Sequence, residues 1–488
     1  MTYGRPPLEK IDLHALARLE ACPSARGPGS QLPRQVLERW KAVRDASVEW
    51  HHSGRDPDAI DRIEQALFGA WDPVQRRLLS ELFSAYRRLF PRDAAAVDLD
   101  PPPGVAIHDD TNRTISVAVQ ADVVTGEGVQ AIRIKTGRSV TGEVEAAAFY
   151  HSDEQRTLVD LRLMADDIVT VGPPADPVGI VDDAARRWDA ALSAPRNGRT
   201  AGFHCHTCHR PARCGQYPVV GEGTVTSGTR TLLISKSRLA ALASCLRAAA
   251  WPAIYSIPRD DGEEDDLPAA NLVVGNQFHR SVAAALLSDD AGAIYEAAYG
   301  TVSPSEVEDL RWLFDQHEAL WTSDEPPVVV TRTEYQFGAT FVVDGSVLDR
   351  RDRLAGAPVA VTFTAVTDVN GWEDDRVAAV VEHRTGRASD AHPYEADLYA
   401  VSAWSALHSM QRAVDGVAVH FHHVRADPAM CDRRFYTLGE IEQAAERLRT
   451  VARELASLHP ADAAAPEFTV GPWCERCNFV LRCSAHRV

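Results

Sequence analysis

Two cysteine triplets in this chain share one spacing. Cys205, Cys208 and Cys214 stand in GFHCHTCHRPARCGQYP, and Cys474, Cys477 and Cys483 stand in GPWCERCNFVLRCSAHR; both read C-x2-C-x5-C. A single earlier cysteine precedes each triplet, Cys22 in the first case and Cys245 in the second. Thiolates in fours ligate an iron–sulfur cluster or a structural zinc ion. The C-x2-C step lets two sulfurs reach one centre, the longer gap returns a third after a short turn, and the fourth arrives from the far end of the domain. A metal held in this way clasps the ends of a fold together, and its binding free energy couples to folding of the whole domain. Ligand type alone leaves zinc and iron–sulfur both open. Cys431, the ninth cysteine, has no counterpart and reads as an ordinary thiol.

These thiols come from distant stretches, so the elements between them must bring them together. An internal repeat does so twice. IDLHALARLEAC, Ile11 to Cys22, and ISKSRLAALASC, Ile234 to Cys245, have equal length, and both read as a helix with a cysteine near its end. IRIKTGR, Ile132 to Arg138, is matched by VEHRTGR, Val381 to Arg387; each follows an apolar stretch of strand character and precedes a predicted helix. Each cysteine triplet follows a charged amphipathic helix, DDAARRWDAALSA or IEQAAERLRTVARELASL. Three matches in one order point to a domain used twice, as residues 1–222 and 228–488, with a Gly/Thr-rich joint near Pro218 to Arg230.

Bulk composition agrees. At 488 residues the chain exceeds one ordinary core, and its 45% hydrophobic and 25% charged residues are globular values. No apolar run has the length to span a bilayer, and MTYGRPPLEK lacks the basic start and apolar stretch of a secretory signal, so a cytoplasmic protein is expected. That compartment reduces thiols, which turns the nine cysteines away from disulfides and toward metal or redox chemistry. The net charge of -18 speaks against a passive coat on nucleic acid, although metal-binding carboxylates at a DNA-cleaving site would lower the formal charge as well. No G-x-x-x-x-G-K-[ST] sequence occurs, so any helicase acting with this chain would be a separate subunit.

The early cysteine, the K-T-G core and the late C-x2-C-x5-C together resemble the iron–sulfur nucleases of the RecB/AddB type, and the CRISPR-associated RecB-like exonucleases of the same PD-(D/E)XK superfamily. The resemblance spans most of both copies. It implies an α/β fold of two tandem restriction-endonuclease-like domains, each a central mixed sheet flanked by helices and clasped by a four-cysteine cluster. It also implies two [4Fe–4S] clusters, one on Cys22, Cys205, Cys208 and Cys214 and one on Cys245, Cys474, Cys477 and Cys483, with Mg2+- or Mn2+-dependent cleavage of DNA.

Phosphodiester hydrolysis needs an activated water, a stabilised phosphorane and a handled leaving oxygen, and one or two divalent ions with oxygen ligands serve all three. In the second copy the resemblance assigns His279 of GNQFHRSV to a G-x-x-x-H element opened by Gly275. It assigns Asp349 of VLDRRDRLAG, with Asp352 in reserve, and Glu382 of VEHRTG as the carboxylates of an Mg/Mn site with His279. Arg384 stands where the family has lysine; arginine can stabilise negative charge but does not act as a base. Glu395 and Tyr399 match a Q-x-x-x-Y element that holds a DNA strand. The first copy keeps Lys135, read as a DNA contact, with Asp122 on the preceding strand, but places Arg133 where Glu382 stands. It has His51 and His52 without a glycine context, and Glu145 and Phe149 at the places of Glu395 and Tyr399. It therefore reads as a degenerate site.

The expected function is a metal-dependent DNA nuclease with the second copy active, acting on single strands or duplex ends in repair, recombination or defence. Two alternatives stand beside it: an iron–sulfur DNA-binding or scaffold protein without activity, motivated by the incomplete D…E-x-K of both copies, and a zinc-clasped protein that binds no nucleic acid, motivated by the acidic balance.

Overall fold

In a computed structural model, the chain divides into two units: Met1–Thr200 with Tyr255–Gly262 and Ala461–Ala464, and Ala201–Ile254 with Glu263–Pro460 and Ala465–Val488. The structure describes residues 9–22, 34–108, 113–153, 155–194, 217–226, 229–258, 270–323, 326–344, 358–385 and 393–458, and positions 463, 464, 466, 471, 474, 477, 479 and 483. The division at Thr200 lies ahead of the joint drawn from the repeat; the first cysteine triplet, on which that joint rests, lies outside the described residues. Among the described residues no helix is long and apolar enough to cross a membrane.

The first unit opens with β1 (Glu9–Lys10) and four helices, α1 (Leu13–Ala21), α2 (Arg34–His52), α3 (Ile60–Phe68) and α4 (Pro73–Leu89). Local chemistry sets the start of α4: Asp72 accepts from the backbone of Val74 and Gln75, and Pro73 fills a first-turn position where no amide donor is needed. Then come β2 (Ala96–Asp98), β3 (Gly104–His108), β4 (Arg113–Val117), β5 (Ala121–Thr125), β6 (Gly128–Lys135), α5 (Glu143–Ser152), β7 (Arg156–Arg162), β8 (Asp167–Val171) and α6 (Pro177–Ser193). One sheet runs β1-β4-β3 and a second runs β2-β5-β6-β7-β8. Within the second sheet β6 and β7 are parallel, so the chain must cross over between them, and α5 is that crossover. Its Ala147, Ala148 and Phe149 are fully buried in the core with Ile115, Leu158 and Trp188.

The second unit comprises β9 (Arg230–Ser235), α7 (Lys236–Ser244), α8 (Leu246–Ala253), α9 (Ala270–Ala285), α10 (Ala291–Tyr299), α11 (Val307–Ser323), β10 (Val329–Val343), β11 (Val359–Trp372), β12 (Val377–Arg384), α12 (Pro393–Ser409), β13 (Gly416–His423), β14 (Met430–Thr437) and α13 (Leu438–Ser457). Its mixed six-stranded sheet runs β10-β11-β12-β13-β14, with β9 parallel to the first half of β11. Strand β13 is buried at every position because β12 and β14 flank it and helices cover it, which explains its run of apolar residues and histidines.

The repeat seen in the sequence reappears as topology. In each unit an antiparallel pair (β5–β6 or β11–β12) leads through a helix (α5 or α12) to a parallel neighbour, then an antiparallel return (β7–β8 or β13–β14) and a long helix (α6 or α13). The chain is thus mixed α/β, with mixed sheets flanked by helices.

Candidate active site

Lys236, His279, Asp368, Glu382, Glu395 and Tyr399 gather at one place in the second unit, each delivered by a different constraint. Strand β9 ends with Ser235 beside Thr364 of β11, so Lys236, the first residue of α7, emerges next to the β11–β12 hairpin. The hairpin register sets Val369 opposite Val381, which brings Asp368 level with Glu382 and His383. Glu395 and Tyr399 lie one turn apart on α12, hence on one face, and both are buried. Helix α9 approaches closely at Gly275, where an added Cβ would stand 3.0 Å from Oγ1 of Thr385.

The hydrogen bonds form two linked pairs. Nδ1 of His279 lies 2.8 Å from Oδ1 of Asp368, and the backbone amide of His383 donates to the other oxygen of Asp368 at 2.6 Å. Lys236 donates to Oε1 of Glu382 and, at 2.8 Å, to the Tyr399 hydroxyl. That hydroxyl donates to Oε2 of Glu382 at 2.6 Å. Lys236 is also 3.5 Å from Glu395, whose second oxygen accepts from Arg384. The Arg384 guanidinium lies over the Phe421 ring at 4.8 Å.

Charge and burial oppose each other here. Burial works against a charged Asp368, but the hydrogen bonds and charges of His279 and His383 outweigh it and hold the carboxyl far below its ordinary range. Burial pushes the Glu382 carboxyl up; Lys236 opposes this and Asp368 adds to it. Burial likewise works against the charges of Lys236 and His279, yet the carboxylates beside them prevail and raise both. The arrangement gathers three carboxyl groups, balanced in part by the Lys236 ammonium and the Arg384 guanidinium.

The structure brings together His279, Glu382, Glu395, Tyr399 and Arg384 from the sequence-derived set. Arg384 pairs with Glu395, and the cation on Glu382 is Lys236. Asp349 and Asp352 lie outside the described residues. The acid beside His279 is Asp368, which the sequence reading passed over inside VTFTAVTDVNGW. Its signal was available: an aspartate within a long apolar alternation immediately before VVEHR is costly to bury unless something uses it. Lys236 carried no spacing signal, because its neighbours are set by the parallel pairing of β9 with β11.

The first unit has the same scaffold with different chemistry. Arg133 takes the place of Glu382 and binds Glu145 at 3.0 Å and Thr141 at 2.7 Å. Lys135 stands 3.9 Å from Glu145. Gln120 accepts from the amide of Ile134 at 2.8 Å, the position that Asp368 fills in the second unit. Asp122 pairs with Arg156 at 3.0 Å. His51 lies among Trp50, Tyr86 and Phe90, with Nε2 2.9 Å from the Tyr86 hydroxyl. A guanidinium and a neutral amide therefore stand where the second unit has two carboxylates.

A separate group of thiols sits in the second unit. Cys245 forms the extended link between α7 and α8, and Arg247 and Trp251 just beyond it meet the C-terminal segment at Pro466 and Phe479. The Cys477 thiol is pushed up by burial, and further by the charges of Cys245, Cys483 and Cys474. The amides of Cys477 and Cys483 donate to the carbonyls of Cys474 and Phe479. Four thiolates are, by type, a donor set that would fit an iron–sulfur cluster or zinc. In the first unit Cys22 is buried, while Cys205, Cys208 and Cys214 lie outside the described residues.

No family model and no curated protein matches this chain. Among solved structures it is similar to one titled "Crystal structure of SSO0001", at 14% identity over 44% of this chain and 85% of that one, with a TM-score of 0.20. A likeness that weak carries no statement about fold or function.

Proposed function

We propose that the second unit is a metal-dependent deoxyribonuclease of the RecB-like, PD-(D/E)XK iron–sulfur type, and that the first is its degenerate, non-cleaving copy. The observation that carries this reading is the His279–Asp368 pair set beside the Glu382–Lys236 pair, with the two carboxylates on the adjoining strands β11 and β12. His279, Asp368 and Glu382 would hold Mg2+ or Mn2+, which supplies Lewis acidity at a phosphodiester. Lys236 would offset charge developing on the phosphate and orient the attacking water, the role the family gives to the lysine replaced by Arg384. Tyr399 fixes the Glu382 carboxylate, and Arg384 fixes Glu395 beside it. Cys245, Cys474, Cys477 and Cys483 would hold a [4Fe–4S] cluster that clasps the C-terminal segment onto α7 and α8. The substrate would be single-stranded DNA or duplex ends, with a helicase or repair subunit as partner, in a cytoplasmic protein of repair, recombination or defence.

The test is cleavage of labelled single- and double-stranded DNA by anaerobically purified protein with Mg2+ or Mn2+. Cleavage that disappears in Glu382→Ala supports the reading; intact DNA under all these conditions overturns it. A scaffold protein that binds DNA without cutting it is the second reading, and one observation favours it: Lys236 already occupies an oxygen of Glu382. DNA binding that is tight, uncut and indifferent to Glu382→Ala selects that alternative.

A further inference from the structure

Three buried imidazoles meet in the second unit, on the face of β12 opposite Glu382. His383 and His422 stand side by side in the parallel register of β12 and β13, and His317 reaches them from α11. The three are 2%, 2% and 0% exposed for His317, His383 and His422 respectively. Ring centroids lie 4.8 Å apart for His317 and His383 and 5.4 Å for His383 and His422, and one nitrogen of each lies within 4.8 Å of the others. Phe278 and Trp321 line the same space. Among the described residues Nδ1 of His317 and both ring nitrogens of His383 have no hydrogen-bond partner. A buried polar atom that nothing satisfies destabilises the fold, so these nitrogens point to a bound partner.

We propose that His317, His383 and His422 hold a divalent transition-metal ion of the zinc type, which ties α11 to β12 and β13. Three imidazoles with no carboxylate among them match the ligand preference of Zn2+ and disfavour Mg2+ and Mn2+, which select oxygen. The ion would lie on the other side of β12 from Glu382, because consecutive strand residues project to opposite faces, with His383 the one ligand that also borders His279 and Asp368. Asp368 stands behind the ligand set, 3.4 Å from Nδ1 of His383 without a formed hydrogen bond, and would orient that ring if Nε2 took the ion. The inference does not depend on nuclease activity.

Zinc added to the chelator-stripped full chain and followed by zinc X-ray absorption tests it. A nitrogen shell at about 2.0–2.1 Å is expected, separate from any thiolate shell at about 2.3 Å. Zinc should also raise the thermal unfolding midpoint, on the order of 5 °C at saturating metal. His317→Phe should lose one zinc per chain and this shift, and His317→Cys should keep the zinc while exchanging one nitrogen for sulfur. A wild-type spectrum with sulfur ligands alone overturns the proposal whether or not the variants fold. A folded His317→Phe that retains its full zinc content overturns it as well.

Discussion

The backbone amide of His383 donates to Asp368 at 2.6 Å, and this bond marks where the two copies part. The matching amide in the first unit, that of Ile134, donates to Gln120 at 2.8 Å. The scaffold needs an acceptor there; only the second unit makes it a charged one. Asp368 thus has two tasks, closing the strand end and supplying negative charge, and a substitution can separate them.

Asp368→Asn keeps the acceptor and removes the charge. The variant should fold, as the first unit folds around Gln120, but its Mn2+ affinity should fall by roughly tenfold or more and its DNA cleavage by about 100-fold. Calorimetric titration with Mn2+ and a cleavage assay read the two effects. Unchanged Mn2+ affinity would remove Asp368 from the site.

The sequence made the repeated scaffold legible because a strand, a T-G-R turn and a helix recur at matching places in both halves. His279, Glu382, Glu395 and Tyr399 could be singled out for a different reason, since each sits within one element at fixed local spacing. Lys236 could not, because it reaches Glu382 through the pairing of β9 with β11 across more than a hundred residues, which leaves no local period. Asp368 is set by the register of the β11–β12 hairpin, and its only sequence signal was a charged residue inside an apolar alternation. Arg384 misled for a related reason: a motif gives the position of a side chain but not the partner it finds, and here that partner is Glu395.

Lys236 and Arg384 therefore make opposite predictions. Lys236→Met leaves Glu382 buried beside Asp368 without its cation. Because Lys236 is 30% exposed, the loss of stability should be about 2 kcal/mol, below that of a fully buried pair. Cleavage should fall by about 100-fold or more. Arg384→Lys should leave the rate within about threefold, since its charge continues to serve Glu395. The comparison is made on purified variants by kcat and urea unfolding. A large gain from Arg384→Lys would show that the familiar lysine position, and not Lys236, governs the chemistry.

Burial pushes the Cys477 thiol up, and Cys245, Cys483 and Cys474 add to the shift. Cys477→Ser should lower the iron and acid-labile sulfide of anaerobically purified protein by about half, one cluster of two, and bleach the visible absorbance in proportion. Proteolysis should then release the segment bearing Phe479 and Cys483 first, because the clasp to α7 and α8 is gone. Full iron content in this variant would detach the cluster from these thiols. A colourless wild-type protein carrying zinc would replace iron–sulfur by the other metal that four thiolates accept.

His51 gives the first unit a pH dependence whose sign follows from its surroundings. Burial, with smaller contributions from Arg55 and His52, lowers its pKa from 6.5 to about 4. The native ring stays neutral, packed against Phe90 at 4.5 Å between centroids and bonded to Tyr86, while the unfolded chain takes up a proton near pH 6.5. Proton uptake by the unfolded state alone removes stability as pH falls, so the loss begins near 6.5 and is complete near pH 4. The full interval corresponds to roughly 3 kcal/mol, and solvent screening at the exposed edge of the ring reduces this to about 2 kcal/mol. Other groups titrate over the same range, so the quantity to compare is the slope. Urea unfolding of the wild type and of His51→Phe at pH 7 and pH 4.5 should show the wild type losing more stability on acidification, by about that amount. Parallel slopes in the two proteins would mean that His51 is as free to protonate in the native state as in the unfolded one.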